Sequence, residues 1–380
     1  VENLLGFNPD HLWGGTFHRI ANRVLRKYAD KLDYNRNFNI LDQADSISLV
    51  KAAMEELALN VKGQNFPKAS IVQGMISYSR NTNQDIREVV EVYYSYPDFI
   101  AEKCEEIAFI YNKKKKVANV MDFDDLLVNW LRLLEQFPDI KERFAKQFEY
   151  ILVDEYQDTN YIQAEIIRHL SSFHNNVLVV GDDSQSIYSF RAADVKNILN
   201  FPKLFAKTKI YKIETNYRST PQILDLANNS IEHNVDQFQK ALKPNRGDNI
   251  LPTLIAARDQ QQQASLIIKR IMQLYRDGVN YESMAVLYRA TFQSAEIQLE
   301  LSKQNIPYVV RGGMRYFEQA HVKDVVAYLK VLTNYQDEVS WKRILLMYEG
   351  IGMKRAEVIW KKIQEFGELS ELIDGNLKLT

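Results

Sequence analysis

The sequence predicts an α/β protein built on parallel sheets with helical insertions, and three apolar runs carry that prediction. Residues 150–153, 177–180 and 209–213 each have the length and composition of a buried strand, and each leads into a polar cluster. Helical patterns at 161–172 and 194–200 lie between them. Because strands that alternate with helices form parallel sheets with their chemistry at the carboxyl ends of the strands, we expect the polar clusters to share one edge.

Helices dominate the chain before the first of these strands. Residues 16–32 show an amphipathic pattern, with apolar side chains such as Ile20 and Val24 on one side and basic side chains on the other. From about residue 40 to 118 no run typical of a strand appears, which predicts a helical insertion. A further helix is expected over 122–135, shortly before the first strand.

A second α/β unit is predicted after a helix that begins at Thr220-Pro221 and ends near residue 234, since proline is well tolerated in a first helical turn. A polar turn at 243–249 follows, and the chain after residue 311 is expected to be largely helical. The expected strands are 253–257, 284–288 and 308–311, and the expected helices are 260–276, 292–304, 321–333, 340–348 and 354–366.

Length and composition limit the possible classes of protein. A chain of 380 residues with 46% hydrophobic residues is too long for one ordinary core, so we expect two or three domains. Cys104 is the only cysteine, which excludes an internal disulfide and favours a reducing, cytoplasmic setting. No apolar run is long enough to span a membrane, and no signal peptide is visible. The net charge of −1 neither supports nor excludes a polyanionic partner.

Two adjacent carboxylates follow the first predicted strand. Asp154 and Glu155 at a strand tip are typical of nucleotide hydrolases, in which the first carboxylate supports Mg²⁺ and the second activates a water. The structural alternative is that they cap the next helix. The sequence contains no G-x-x-x-x-G-K-[ST] phosphate-binding loop.

The order and spacing of motifs along nearly the whole chain resemble the superfamily 1 DNA helicases of the UvrD/Rep/PcrA type. No single motif decides this resemblance, but jointly the motifs are specific. The matching stretches are Thr16–His18, Met121–Leu127, Val153–Asn160, Gly181–Arg191, Asn216–Thr220, Val286–Arg289, Asn305–Tyr308, Gly312-Gly313 and Gly350–Gly352.

The resemblance implies two RecA-like parallel-sheet domains, both incomplete, with helical insertions. Residues 1–35 and 120–220 would form the first domain without its N-terminal part, and 36–119 its helical insertion. Residues 221–320 would begin the second domain, and 321–380 would start that domain's own insertion. Helicases of this type carry a phosphate-binding loop before the position of Thr16 and two further motifs after the second insertion, so the chain is expected to be an internal fragment. An incomplete sheet would expose unpaired strand edges.

For the nucleotide site, the resemblance implies roles for five residues. Asp154 would support Mg²⁺ and Glu155 would activate water. Gln185 would sense the γ-phosphate, since its amide can donate to phosphate and accept from water; the alternative is a polar loop residue. Tyr217 would stack on adenine. Arg218 would bridge phosphate oxygens as an arginine finger does, unless it is a helix-start arginine paired with a surface carboxylate.

For DNA, the resemblance implies a track of aromatic and polar residues. Tyr188, Phe190 and Arg191 suit a single strand, because aromatic faces stack on bases and arginine binds phosphate. Core packing is the alternative for Tyr188, and the family often has tryptophan at the position of Phe190. For His18 alone, a hydrogen bond at a helix start is the commoner role. The other positions on this track are Thr16, Phe17, Arg289 and Gln293.

A glycine turn between two basic helical patterns, Gly350-Ile351-Gly352, is followed by Lys354. Such a turn lets backbone amides approach a phosphate, and the next helix adds its N-terminal dipole. It resembles the helix-hairpin-helix element with which the family grips duplex DNA, and a tight corner between helices is the alternative. Lys113–Lys116 cover all sides of a predicted helix, which favours a solvated helix and leaves a duplex contact open.

The resemblance therefore implies an ATP-dependent DNA helicase or translocase that uses ATP and Mg²⁺ and moves 3′ to 5′ on DNA. The expected partners are single-stranded DNA and junctions of single-stranded with duplex DNA. Because the phosphate-binding loop is absent from the 380 residues, this chain by itself is expected not to hydrolyse ATP. Two alternatives stay open: a DNA-binding fragment without catalysis, and the motor portion of a helicase-nuclease.

Overall fold

The computed structural model describes residues 12–57, 59, 66–205, 207–311 and 320–365. These residues fall into two compact units. The first unit contains the described residues up to Lys212, the segment Asn234–Gln239 and the helices after residue 319; the second contains Ile213–His233 and the described residues from 240 onward up to 311. Among the described residues, no helix is long and apolar enough to cross a membrane.

The first unit combines parallel strand pairs with helices. β1 (Asn39–Ile40) pairs with β2 (Val120–Met121), and β3 (Ile151–Val153) pairs with β4 (Val177–Val179), both in parallel. The parallel pairing confirms the α/β class. The longer α-helices up to residue 212 are α1 (Phe17–Tyr28), α2 (Gln43–Glu56), α3 (Ala69–Thr82), α4 (Asp98–Val117), α5 (Phe123–Gln136), α6 (Pro138–Gln147), α7 (Tyr161–Leu170) and α8 (Lys196–Leu204).

Side-chain caps explain where several of these helices begin. Thr16 accepts a hydrogen bond from the backbone of the third residue of α1 at 3.3 Å. α5 begins with a reciprocal pair, in which Asp122 accepts from Asp125 N at 2.7 Å and Asp125 accepts from Asp122 N at 2.9 Å. α7 has the same arrangement between Asn160 and Gln163, with both distances 2.9 Å. Each such cap is worth about 1 kcal/mol.

Two apolar cores hold the first unit together. One packs α1, α5 and α7 around Trp130, and the other lies inside the helical insertion formed by α2, α3 and α4. Cys104 belongs to the second core, where burial raises the pKa of its thiol to about 12. A buried, protonated thiol is inert, so Cys104 has a packing role.

A buried ionic network joins the insertion to the α/β part. Lys115 of α4 is fully buried, with its Nζ 2.5 Å from Asp122 and 2.6 Å from Asp125 at the start of α5. Arg80 of α3 contacts both carboxylates, and the Tyr111 hydroxyl donates to Asp122 at 2.8 Å. The interpretation of Lys113–Lys116 as a fully solvated run is therefore wrong for Lys115, because the end of α4 lies beside the start of α5.

The second unit is smaller and mainly helical in the part that the structure describes. It contains α9 (Pro221–Ile231), α10 (Gln260–Arg276) and α11 (Gln293–Lys303), with a parallel bridge between β5 (Thr215–Asn216) and β6 (Lys243–Pro244). The bounds of α10 are those that the sequence predicted. Its core packs α10 against α11 through Ala264, Ile268, Ile297 and Leu301.

Four predicted strands are not formed in the described residues: 209–213, 253–257, 284–288 and 308–311. Their apolar side chains are largely exposed, and Leu254 and Leu287 are almost fully so. A parallel strand needs a hydrogen-bonded neighbour on the sheet, and these segments have none within the described ranges. The prediction was wrong here because apolar composition does not supply a partner strand.

The last three described helices, α12 (Ala320–Thr333), α13 (Glu338–Leu346) and α14 (Met353–Ile363), belong to the first unit. They contact the ends of the insertion: Asn334 Nδ2 donates to the carbonyl of Ala118 at 2.9 Å, and Asn39 Nδ2 donates to Asp337 Oδ2 at 3.0 Å. Their bounds follow the predicted helices closely. The expected end of the last helix at residue 366 lies outside the described residues.

Candidate nucleotide and DNA sites

Two loops meet where the parallel strands β3 and β4 end. Backbone hydrogen bonds between the two segments continue beyond the paired residues of β3 and β4. Val180 N donates to Val153 O at 2.8 Å, and Tyr156 N donates to Val180 O at 3.0 Å. This pairing brings the Asp154-Glu155 loop beside the loop Gly181–Gln185. The carboxyl ends of neighbouring parallel strands commonly form such sites.

Asp154 and Glu155 are exposed at the end of β3. The Asp154 carboxylate accepts from Glu155 N at 3.0 Å, and Glu155 has a left-handed backbone with a φ of 51°. A non-glycine residue in this conformation costs of order 1–3 kcal/mol, and such strain is concentrated at functional sites. α7 is capped by Asn160, so the alternative in which the two carboxylates cap the next helix is not what the structure shows.

Gln157 connects the two loops. Its side chain is only 1% exposed, its Nε2 donates to Glu155 Oε2 at 2.8 Å, and its Oε1 accepts from Asp182 N at 3.0 Å. In the second loop, Gln185 Nε2 donates to Asp182 Oδ2 at 2.9 Å. A continuous chain of hydrogen bonds therefore runs from Glu155 to Gln185.

Gly181 allows the two loops to approach this closely. A Cβ at this position would lie 2.5 Å from Gln157 Oε1, 2.8 Å from Ile198 Cδ1 and 3.2 Å from Tyr156 N. Sequence reasoning named the motifs that contain Gln157 and Gly181 but gave neither residue a role. The available signal was a glycine directly after a strand, which often marks a close approach of two backbones.

The donor set at the end of β3 fits a Mg²⁺ ion that arrives with a nucleotide. Asp154 offers carboxylate oxygens, and Mg²⁺ at nucleotide sites takes one or two carboxylates together with phosphate and water oxygens. Within the described ranges, no group of three or more His, Cys, Asp or Glu side chains could hold a metal by itself. Substrate phosphates would therefore have to complete the shell.

An exposed aromatic cluster follows the second loop. The rings of Tyr188 and Phe190 lie 6.0 Å apart between centroids, and the Arg191 guanidinium carbon is 5.4 Å and 5.5 Å from the two rings. All three side chains are exposed, so core packing is not the role of Tyr188. Aromatic faces beside a cation match the requirements of a single-stranded nucleic acid.

The predicted DNA-track residues at the start of α1 have local structural contacts. Thr16 caps the helix, and Phe17 is half-buried against the core beneath β3 and β4. The His18 ring packs edge-on against Phe123 at 5.8 Å, and burial lowers the pKa of His18. Of the three, Thr16 is the most accessible.

In the second unit, Tyr217 and Arg218 follow β5 in a turn made by Asn216. The Asn216 Oδ1 accepts from Arg218 N at 2.9 Å and from Ser219 N at 2.7 Å, a local pattern typical of asparagine. The side chains of Tyr217 and Arg218 are both exposed. The turn therefore presents an aromatic ring and a guanidinium side by side.

Gln293, also in the second unit, has a capping role that sequence reasoning did not give it. Its Oε1 accepts from Arg289 N at 3.0 Å and from Ala290 N at 2.8 Å, ahead of α11. The exposed Arg289 is held next to the helix start by this contact. Arg289 and Gln293, two of the residues predicted to contact DNA, are therefore neighbours in the structure.

The glycine turn between α13 and α14 has the conformation that a glycine favours. Gly350 has a φ of 81°, and Gly352 is the N-cap residue of α14, with Lys354 exposed in its first turn. Lys342 pairs with Glu338 at 2.6 Å and also with Glu357, so part of the basic charge near the turn is neutralised. The motif Gly312-Gly313 lies outside the described residues.

Parallel strands bring an acidic pair beside a Gly-Asp-Asp-Ser-Gln loop, with a helical insertion before them, and this is an α/β arrangement suited to binding a nucleotide. Residues 1–206 match the UvrD/REP helicase N-terminal domain, and residues 211–378 match the UvrD-like helicase C-terminal domain. The chain belongs to the UvrD/Rep helicase family, which confirms the resemblance drawn from its motifs.

Two curated relatives illustrate the match. The chain is 34% identical over 362 residues to the ATP-dependent DNA helicase PcrA of Staphylococcus epidermidis. The aligned region covers 94% of this chain and 49% of the relative. The chain is 32% identical over 360 residues to the protein of the same name in Staphylococcus aureus, covering 94% and 48%. The chain therefore spans about half the length of the curated relatives it matches.

Proposed function

We propose that the chain carries nucleotide-binding and DNA-binding elements of an ATP-dependent DNA helicase that moves 3′ to 5′ along single-stranded DNA. The supporting observation is the hydrogen-bond chain from Glu155 through Gln157 and Asp182 to Gln185. It couples a carboxylate suited to activating water to an amide suited to binding a phosphate oxygen.

Each residue of the nucleotide site has a role in this proposal. Asp154 would hold the Mg²⁺ ion that accompanies the nucleotide, and Glu155 is placed to orient and deprotonate the attacking water. The Gln185 amide contacts the γ-phosphate, so a change in phosphate state alters its hydrogen bond with Asp182. The Arg218 guanidinium is proposed to stabilise the transferring charge, and the Tyr217 ring to stack on adenine. Phosphoryl transfer depends on this positioning and on charge stabilisation.

The DNA partners follow from the exposed groups. Tyr188, Phe190 and Arg191 contact a single strand, because their rings and guanidinium are accessible together. The turn at Gly350 and Gly352, with Lys354 beside it, contacts duplex DNA at a junction through backbone amides and charge. Thr16, Phe17, His18, Arg289 and Gln293 are proposed as further DNA contacts.

The 380-residue chain by itself is proposed to bind DNA without hydrolysing ATP. Its sequence has no G-x-x-x-x-G-K-[ST] loop, so the β- and γ-phosphates lack the backbone amides and the lysine that cradle them. Asp154 and Glu155 can act only on a nucleotide that other groups hold in place. The DNA-contacting groups do not depend on that loop.

Fluorescence anisotropy of labelled single-stranded and forked DNA, across a salt series and with or without Mg-ATP, tests both parts. We expect binding that weakens steeply with salt, because phosphate contacts release counterions, and that is the same with and without nucleotide. A shift of affinity with Mg-ATP, or DNA-stimulated phosphate release, would contradict the proposed inactivity. Absence of binding at low salt would contradict the DNA role.

A further inference from the structure

Three tyrosines form a cluster on the helical insertion that the proposed site does not use. The rings of Tyr78 and Tyr93 lie 5.1 Å apart between centroids, with their planes inclined by 49°. Tyr94 lies over Gly74 of α3, with its hydroxyl 3.5 Å from where a Cβ on that glycine would be. Tyr93 is 51% exposed and Tyr94 is 36% exposed. Two aromatic rings are therefore presented to solvent against the same helix face.

The backbone holds these rings in place. Residues Val89–Tyr93 form a π-helical turn, a rare element that is frequently found at functional sites. Val89 and Val90 are fully buried and anchor the turn from inside. From outside, Gln84 Nε2 donates to the Tyr93 hydroxyl at 3.2 Å. Because this segment is already ordered and anchored, its exposed rings lose little conformational entropy when a ligand binds.

Hydrogen bonds join the segments next to this cluster to the segment that follows the aromatic cluster of Tyr188 and Phe190, within the same unit. Asn160 Nδ2 donates to Asn81 Oδ1 at 2.7 Å, one turn along α3 from Tyr78. Thr159, next to Asn160, accepts from Asp194 N at 3.0 Å. Burial, then Tyr93 and Tyr94, and then the Asp194 carboxylate raise the pKa of Tyr78, which agrees with this proximity. Asp194 follows shortly after Arg191 in the sequence, so these contacts lead toward the cluster of Tyr188 and Phe190.

We propose that Tyr78, Tyr93 and Tyr94 form a stacking site for the bases of single-stranded DNA, continuous with the cluster of Tyr188 and Phe190. The inference rests on the proposed function, because the adjoining cluster is the proposed strand contact. A single strand fits because stacking needs only exposed ring faces and tolerates any base sequence.

The charges around the tyrosines set the mode of binding. Glu88 and Glu91 are exposed on the same segment and repel phosphate groups. The strand therefore meets this site through its bases, with its phosphates turned away, whereas Arg191 supplies the phosphate contact at the neighbouring cluster. Removing a tyrosine should reduce affinity without changing the dependence on salt.

The test is the Tyr93→Ala variant of this chain, in anisotropy titrations with single-stranded DNA and with an abasic strand of the same length. We expect roughly tenfold weaker binding to the strand with bases, no change on the abasic strand and an unchanged salt slope. Tyr93→Phe keeps the ring and should bind like the unmodified chain. Phe109→Ala, which removes an exposed ring from α4, is the matched control and should leave affinity unchanged. Circular dichroism confirms that each variant is folded.

The outcomes separate this inference from the proposed function. If Tyr188→Ala weakens binding and folded Tyr93→Ala does not, the strand contact stands and the stacking site on the insertion is refuted. Equal losses on the normal and abasic strands would also refute stacking, since a surface of another kind, such as a protein-docking face, would then be disturbed. If the unmodified chain binds no DNA, the proposed function and this inference both fail.

Discussion

The side chain of Gln157 contacts both loops of the candidate nucleotide site while it is itself buried. Its amide nitrogen donates to Glu155, and its amide oxygen accepts from Asp182 N. Both polar atoms of the buried amide are therefore paired, which avoids the free-energy cost of burying an unpaired polar group. Gly181 makes room for this contact, and no other residue type would fit without moving the loops. At the scale of single residues, the geometry of the site therefore depends on an amide and a missing side chain.

Replacing Gly181 with alanine should disturb this arrangement directly. The new Cβ would lie 2.5 Å from Gln157 Oε1, so either the amide or the loop must shift. We expect the free energy of unfolding to fall by about 1–3 kcal/mol, as for overpacked interiors. Urea unfolding followed by circular dichroism measures the change. Gly14→Ala is the control, because a Cβ at Gly14 meets nothing within 4 Å; equal effects of the two changes would refute the steric argument.

Sequence reasoning located these loops but not the residues that join them. Asp154 and Glu155 are visible from the sequence because two carboxylates after an apolar run have a recognisable pattern, and Gln185 was named through the family resemblance of its motif. The partnership of Gln157 with Asp182 depends on the pairing of β3 with β4, two segments far apart in the chain. Periodicity in one segment carries no information on that register.

At the scale of elements, the helices followed the sequence closely, whereas only the predicted strands 150–153 and 177–180 are formed in the described residues. α10 occupies the predicted residues because its start is set locally, by Asp259, which accepts from Gln262 N at 2.7 Å. A strand is completed by a neighbour elsewhere in the chain, and apolar runs such as 253–257 have no such neighbour among the described residues. The buried state of Lys115 also escaped prediction, because it depends on how the end of α4 meets the start of α5.

The ionic network between the insertion and the α/β part gives a prediction at this scale. Lys115→Met would leave Asp122 and Asp125 buried without their main cation, which should lower the free energy of unfolding by about 3–5 kcal/mol at neutral pH. Urea unfolding measures this loss. Lys113→Met changes an exposed neighbour on the same helix and should stay within about 0.5 kcal/mol.

The difference in the free energy of unfolding between the unmodified chain and Lys115→Met should depend on pH, and the sign of that dependence follows from Asp122. Burial alone would raise the pKa of Asp122, but Lys115 and Arg80 hold it well below its usual range. A lowered carboxyl pKa adds stability above a pH of about 4 that is lost as the pH falls further. In Lys115→Met the pKa of Asp122 should rise, so that the carboxyl is neutral in acid. The difference between the two proteins should therefore shrink below a pH of about 4, and a constant difference would contradict this account.

At the scale of the whole molecule, apolar strand residues remain in contact with solvent. In the described part of the chain, β3 and β4 pair only with each other, so one edge of each is unpaired. Leu152 and Leu178 lie opposite each other in this pair and are 69% and 54% exposed. An apolar sheet face beside free edges favours association between molecules.

The chain is therefore expected to self-associate with rising concentration, and Leu178→Lys should reduce that association. The substitution places a charge on the exposed face, where desolvation of the ammonium group opposes contact between two sheets. Sedimentation velocity over a concentration series measures the effect, and the free energy of unfolding should change by less than about 1 kcal/mol because Leu178 is more than half exposed. Leu204→Lys, at the exposed end of α8, is the control. If Leu204→Lys reduced association equally, net charge rather than the strand face would be the cause, and a chain that stays monomeric throughout would refute the prediction.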